Sequence, residues 1–274
     1  METLRTMLQT DQVPSQLSVT RLVQALGRHG DIQGIEEAQT LMNGMGVPLN
    51  LSRMVFVNNL ALAHINNGDL EGAVERLEAV YTQASDEPAP SMSFVFRKVL
   101  EMNNEAALDK LSAMAERLAN HFASYRAASD LFLQLLEMDR VEDAKFMLAR
   151  CNAVAEQKDF LVSYMSRLAQ KPGQAGKIKT LVNLIPDFTD KETLYAYLLK
   201  CYNVDKDLEQ AKALYLQMQQ EGVEVNQLSL KRLAEMYRNA GETPPFTEPP
   251  ESYKFYADKL KERTRAPARS PAEE

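Results

Sequence analysis

The chain has 274 residues, 45% hydrophobic and 25% charged, which is the make-up of a folded domain or repeat array rather than a disordered one. A net charge of −7 carries no global basic signature for nucleic acid, so any such contact must be local. Two distant cysteines, Cys151 and Cys201, imply neither a disulfide framework nor a zinc site, and no run approaches the roughly 18 apolar residues that mark a membrane span.

The N-terminus METLRTMLQT has neither the form of a signal peptide nor the Arg and Ser content of a clear transit peptide. Residues 1–15, with Leu4, Met7 and Leu8 before Val13-Pro14-Ser15, read as the tail of a second helix from a preceding repeat. The next stretch, QLSVTRLVQALGRHGD at 16–31, returns at 227–242 as QLSLKRLAEMYRNAGE, 211 residues later. Six units of about 35 residues fit that distance, a period typical of helical-hairpin solenoids. MGVPLN at 45–50 and EGVEVN at 221–226 match at an offset of 176, or five such periods. The units run through 16–50, 54–90, 91–124, 125–158, 159–191 and 192–226, with the third and fifth degenerate.

Each unit reads as two helices. In the first, Val19, Leu22, Val23 and Leu26 make one apolar face. Gly30 supplies a left-handed stop and Asp31 caps the second helix, whose stripe is Ile35, Ala38, Leu41 and Met42. Gly-Asp-Leu at 68–70 and Lys-Asp-Leu at 206–208 repeat that junction. Ala38, Ala73, Ala144 and Ala211 fall at equivalent places, where helices must approach closely. TPPFTEPP makes 243–250 a Pro-rich linker, and a helix over 251–263 presents Tyr253, Tyr256 and Leu260 as a packing stripe with Phe255 to its side. Residues 264–274 read as a disordered tail. The expected fold is an all-α, right-handed solenoid of about six hairpins over 16–242, closed by a C-terminal capping helix.

The 35-residue period, the Gly-Asp-Leu entry and the terminal Gly-Val-x-x-Asn resemble pentatricopeptide repeats; the 34-residue tetratricopeptide pattern fits less well. FTEPPESYKFYADKLKE at the end is similar to the C-terminus of a mitochondrial member of that family in animals. The resemblance implies single-stranded RNA as ligand, read one base per repeat by the fifth and last residues of each unit. Carried over by position, the base-contact candidates are Thr20 with Asn50, then Asn58, Ser129 and Asn226; the phosphate-backbone candidates are Arg28 and Lys231. Ser163 is a further polar position, whereas Ala196 offers a base no side-chain hydrogen bond. The resemblance further implies a factor for mitochondrial messenger-RNA stability, polyadenylation and translation. It implies a stem-loop-interacting RNA-binding protein and upstream repeats of the same chain as partners, no cofactor, and the mitochondrial matrix with the nucleus as a second location.

The same residues have plainer uses. Asn50 and Asn226 precede helices and make good N-caps. Thr20, Asn58, Ser129, Arg28 and Lys231 suit a solvated helix face. His29, His64 and His121 have no ligand spacing, so no metal is expected. No phosphate loop, nucleophile elbow or HExxH motif is present, so an enzyme is not expected. Two roles stand: an RNA-binding segment, or a protein-docking solenoid without RNA contact of its own.

Overall fold

The structure is a computed structural model that describes residues 1–10, 12–45, 51–83 and 89–265. The described residues form helices and no strand. Two compact units divide the chain, Met1–Gln157 and Lys158–Glu274.

In the first unit, α1 (Glu2–Gln9) precedes the pair α2 (Gln16–Arg28) and α3 (Ile32–Asn43). There follow α4 (Arg53–Asn66) with α5 (Leu70–Thr82), α6 (Ser93–Glu101) with α7 (Glu105–Phe122), and α8 (Arg126–Glu137) with α9 (Val141–Arg150) and the short α10 (Ala153–Glu156). First helices stack on first helices, α2 on α4 on α6 on α8, while each also packs on its own partner. The second unit repeats the plan with α11 (Lys158–Leu168) and α12 (Ala175–Leu184), α13 (Lys191–Asp205) and α14 (Leu208–Glu221), then α15 (Gln227–Asn239) and α16 (Tyr253–Arg265). This pairing is consistent with an α-solenoid.

Local chemistry sets the junction inside each pair. A left-handed residue ends the first helix: Gly30, Gly68, Asn103, Asp139, Gly173 and Lys206, with Gly241 after α15. Consecutive members lie 33 to 38 residues apart, so the repeat is written into backbone conformation. The next residue caps the second helix. Asp31 Oδ1 accepts from the Gly34 amide at 2.8 Å, Asp69 from Gly72 at 3.0 Å and Asp207 from Gln210 at 3.1 Å. In the degenerate third unit Asn103 takes the left-handed role and Asn104 caps α7 through the Ala107 amide.

From these caps the core positions follow. Ala73, Ala144 and Ala211, all fully or nearly fully buried, are the fourth residues after their caps. Ala38 is buried too, but it sits one turn later, and Ile35 takes the fourth position in α3. The four alanines are therefore not equivalent as expected, because large and small residues exchange places along α3. The backbones of α2 and α4 approach so closely that a Cβ on Gly27 would meet the Asn59 carbonyl oxygen at 3.1 Å and its Oδ1 at 2.9 Å. At the same crossing the Asn66 amide donates to the Gly27 and Arg28 carbonyls, and Asn67 to that of Gly30.

Ion pairs link successive second helices of the first unit. Glu36 pairs with Arg76, Glu78 with Arg117 through two hydrogen bonds, Glu105 with Arg140 likewise, and Glu116 with Arg150. Each is exposed enough to contribute little singly. Together they tie the second-helix layer of the first unit, while the candidate contacts Thr20, Asn58 and Ser129 are carried by first helices.

Candidate nucleic-acid interface

The helix starts decide which side chains can read a base. Ser15 caps α2 by accepting from the Ser18 amide, which makes Thr20 the fifth residue of that helix, half-buried beside the buried Val19. Arg28 is exposed in the last turn, about 12 Å further along the axis, with no ion-pair partner among the described residues. Asn50, the expected partner of Thr20, lies outside the described residues.

The other candidates are displaced. Ser52 caps α4, so the helix begins at Arg53 and Asn58 is its sixth residue, with Val57 at the fifth. One residue turns a side chain through about 100° around the axis. Asn58 is half-buried, its Oδ1 is enclosed, and that oxygen meets no donor among the described residues. Similarly, α8 begins at Arg126, which makes Ser129 the fourth residue and turns it inward. Ser129 is 2% exposed, and its Oγ is enclosed without a hydrogen bond among the described residues. The expectation that Ser129 faces a ligand is therefore corrected by the helix register. Asp130 takes the fifth place and is buried as well; it accepts from the Met92 amide at 2.8 Å and pairs with Arg126 at 3.2 Å. It serves α6, whose start has no side-chain cap of its own.

In the second unit the fifth residues are Val162, Tyr195 and Lys231. Tyr195 is buried and its hydroxyl donates to Glu221 at 2.7 Å, while burial, then Glu221, pushes the phenol up to about 12. Asn226 caps α15, its Oδ1 accepting from the Ser229 amide at 2.9 Å. Lys231 contradicts the expectation of an exposed phosphate contact. It is 7% exposed, and its Nζ donates to Glu248 at 2.6 Å and to the Pro249 carbonyl at 3.2 Å. Neighbouring Arg232, equally buried, pairs with Asp258 at 2.6 Å.

The acids that take these cations come from beyond α15. Glu248 also accepts from Arg238, and the Arg238 guanidinium, followed by the Lys231 ammonium, holds the Glu248 carboxyl below its ordinary value. Phe246 packs between Tyr215 and Tyr237, with ring centroids 5.3 and 6.3 Å away. On α16 the expected packing face is reversed. Phe255 is 5% exposed, under the ammonium groups of Lys231 and Lys259, while Tyr253, Tyr256 and Leu260 are 89%, 50% and 64% exposed. Sequence reading missed Asp130, Glu248 and Phe255; α8 starts without a side-chain cap bond, so nothing local marks Asp130 as its fifth residue.

No known protein-family profile matches the chain. Curated relatives do: a leucine-rich PPR motif-containing protein, mitochondrial, from Xenopus tropicalis is 54% identical over 94% of this chain. Proteins of the same name from Rattus norvegicus and Mus musculus are each 44% identical over 98% and 97% of it. The chain matches a C-terminal part of the leucine-rich PPR motif-containing proteins. It spans about a fifth of their length: 18% of the frog protein and 19% of each rodent one. This likeness to leucine-rich PPR proteins agrees with the helical pairs and with the repeat spacing of their left-handed turns.

Proposed function

We propose that this chain is a scaffold segment of a mitochondrial messenger-RNA stability, polyadenylation and translation factor, a right-handed array of about six hairpins that docks protein rather than reading bases. The observation that carries this reading is the state of the fifth positions. Val57 and Val162 offer no hydrogen bond, Arg97 is exposed and pairs along its own helix with Glu101, Asp130 and Tyr195 are buried and bonded, and Lys231 is held by Glu248. The acidic balance of the chain points the same way. The names of the relatives support the mitochondrial setting, here taken as the matrix with the nucleus as a second location. A stem-loop-interacting RNA-binding protein and the upstream repeats are the docking partners this reading assigns.

Thr20 and Arg28 favour a second reading in which the first hairpin alone touches RNA. Fluorescence anisotropy with labelled single-stranded RNA separates the two. The docking reading expects weak binding that does not change between Thr20→Ala and the parent. Tight, base-selective binding lost in Thr20→Ala would overturn it.

A further inference from the structure

The segment after α15 does more than end the array. Glu242 pairs with Lys212 at 2.6 Å, Glu248 with Lys231 and Arg238, and Asp258 with Arg232. Three acids of this short stretch thus grip four cations of α14 and α15. Pro244, Pro245, Pro249 and Pro250 fix φ at four positions, which lowers the entropy lost on docking. Phe246 and Phe255 anchor its two ends. A bare α15 would present Lys231, Arg232 and Arg238 along two turns, a spacing that suits an anionic strand.

Beside this contact lies a cleft of 1240 Å³ among α13, α15 and α16. Lys200, Lys206, Lys259 and Lys261 are among its lining residues, with Glu235 and Asp258 as the acids. Glu235 is paired with Lys259, and Asp258 with Arg232. Lys200 and Lys206, which lie off α16, therefore carry the cationic surface past the segment that covers α15.

We propose that residues 242–258 form a displaceable strap, an acidic stand-in for a phosphate backbone, and that α15, with Lys200 and Lys206 beside it, is a binding site for single-stranded RNA that the strap occupies. Carboxylates and phosphate oxygens make the same charge-assisted hydrogen bonds to Lys and Arg, so one can replace the other on the same donors. Base identity plays no part, because Lys231, Arg232 and Arg238 would meet phosphates only. The proposal goes beyond the docking reading: it makes weak RNA affinity a property of the closed strap rather than of the surface beneath.

Two measurements on the full chain test it. Glu248→Gln with Asp258→Asn removes two of the strap's grips while leaving both aromatic anchors. Its affinity for a mixed-sequence 20-nucleotide RNA at low salt should rise about tenfold, and the log–log salt slope should steepen by about 2, the value for three added phosphate contacts on a single strand. Adding Arg238→Gln in that background should reverse part of the gain. For the parent chain, excess RNA should speed chymotrypsin cleavage after Phe246, because an opened strap exposes that bond. A helical, cooperatively melting double variant that binds RNA no better than the parent, or a cleavage rate indifferent to RNA, would overturn the strap and leave the docking reading standing. Tight binding by the parent with no gain in the variant would overturn both.

Discussion

The aromatic anchor of α16 offers a sharp test of the packing described for the C-terminus. Phe255→Ala removes a ring that is 5% exposed and lies 5.0 Å from the Lys259 ammonium and 5.9 Å from that of Lys231. A buried phenylalanine removes about 150–250 Å² from water, worth about 4–6 kcal/mol at 25 cal/mol per Å², and measured Phe→Ala losses run about 3–5 kcal/mol. The strap is a peripheral element, so the loss should appear first as local opening, capped by the free energy that docks α16 on α15. Native-state hydrogen exchange on α15 and α16 reads that opening directly. Protection of the α16 amides should collapse in Phe255→Ala, while α4 and α5 stay unchanged. Leu260→Ala, at a residue 64% exposed, should shift stability by no more than about 0.5 kcal/mol. Equal effects from the two substitutions, or a negligible one from Phe255→Ala, would refute the assigned face.

Lys206 holds a left-handed conformation at φ 57° without being glycine, so Lys206→Gly should raise stability by about 1 kcal/mol in urea unfolding. Gly27→Val should lower it by about 1–3 kcal/mol through the contact with Asn59, whereas Gly176→Ala, with nothing within 4 Å, should be neutral or stabilising by the same assay. The Glu221 carboxyl is held at about 2 by the Gln217 amide first, then by Lys191 and Tyr195, against a usual 4.5. Its folded value is depressed, so its contribution is present above pH 4.5 and is lost as pH falls toward 2. Glu221→Gln should flatten the acid limb of the stability profile over that window, measured by unfolding at fixed denaturant.

What the sequence made legible was local. Gly30-Asp31, Gly68-Asp69 and Lys206-Asp207 each carry the left-handed residue and the cap side by side, so the turns could be placed from the chain alone. The likeness to leucine-rich PPR proteins was legible in the same way, through short stretches at the repeat ends and the C-terminus. Register at the third and fourth first helices was harder. Tyr125 and Met92 precede α8 and α6 without a side-chain cap bond, which leaves no signal for the starting residue. A slip of one residue then moved Ser129 from a ligand face into the core. Lys231 failed for a different reason: its partner Glu248 lies 17 residues on, across a turn and a proline run, and no periodicity reports such a contact. The outward face of α16 was misjudged because Phe255, the lone aromatic beside the stripe, takes the contact with α15 at Lys231 and leaves Tyr253, Tyr256 and Leu260 exposed.

The junctions inside the pairs have an effect on how such a chain can change over time. A single left-handed residue, followed by the cap, joins α2 to α3, α4 to α5 and α13 to α14. Between pairs the link ranges from three residues, 123–125, to ten, 83–92. Insertions and deletions that fall between pairs leave each fold unit whole, while one that falls inside a pair destroys it. Length is therefore free to vary between pairs and is constrained at the short capped turns within them. Under that rule hairpins survive duplication, loss and drift as intact modules, while any fixed count of residues per module erodes.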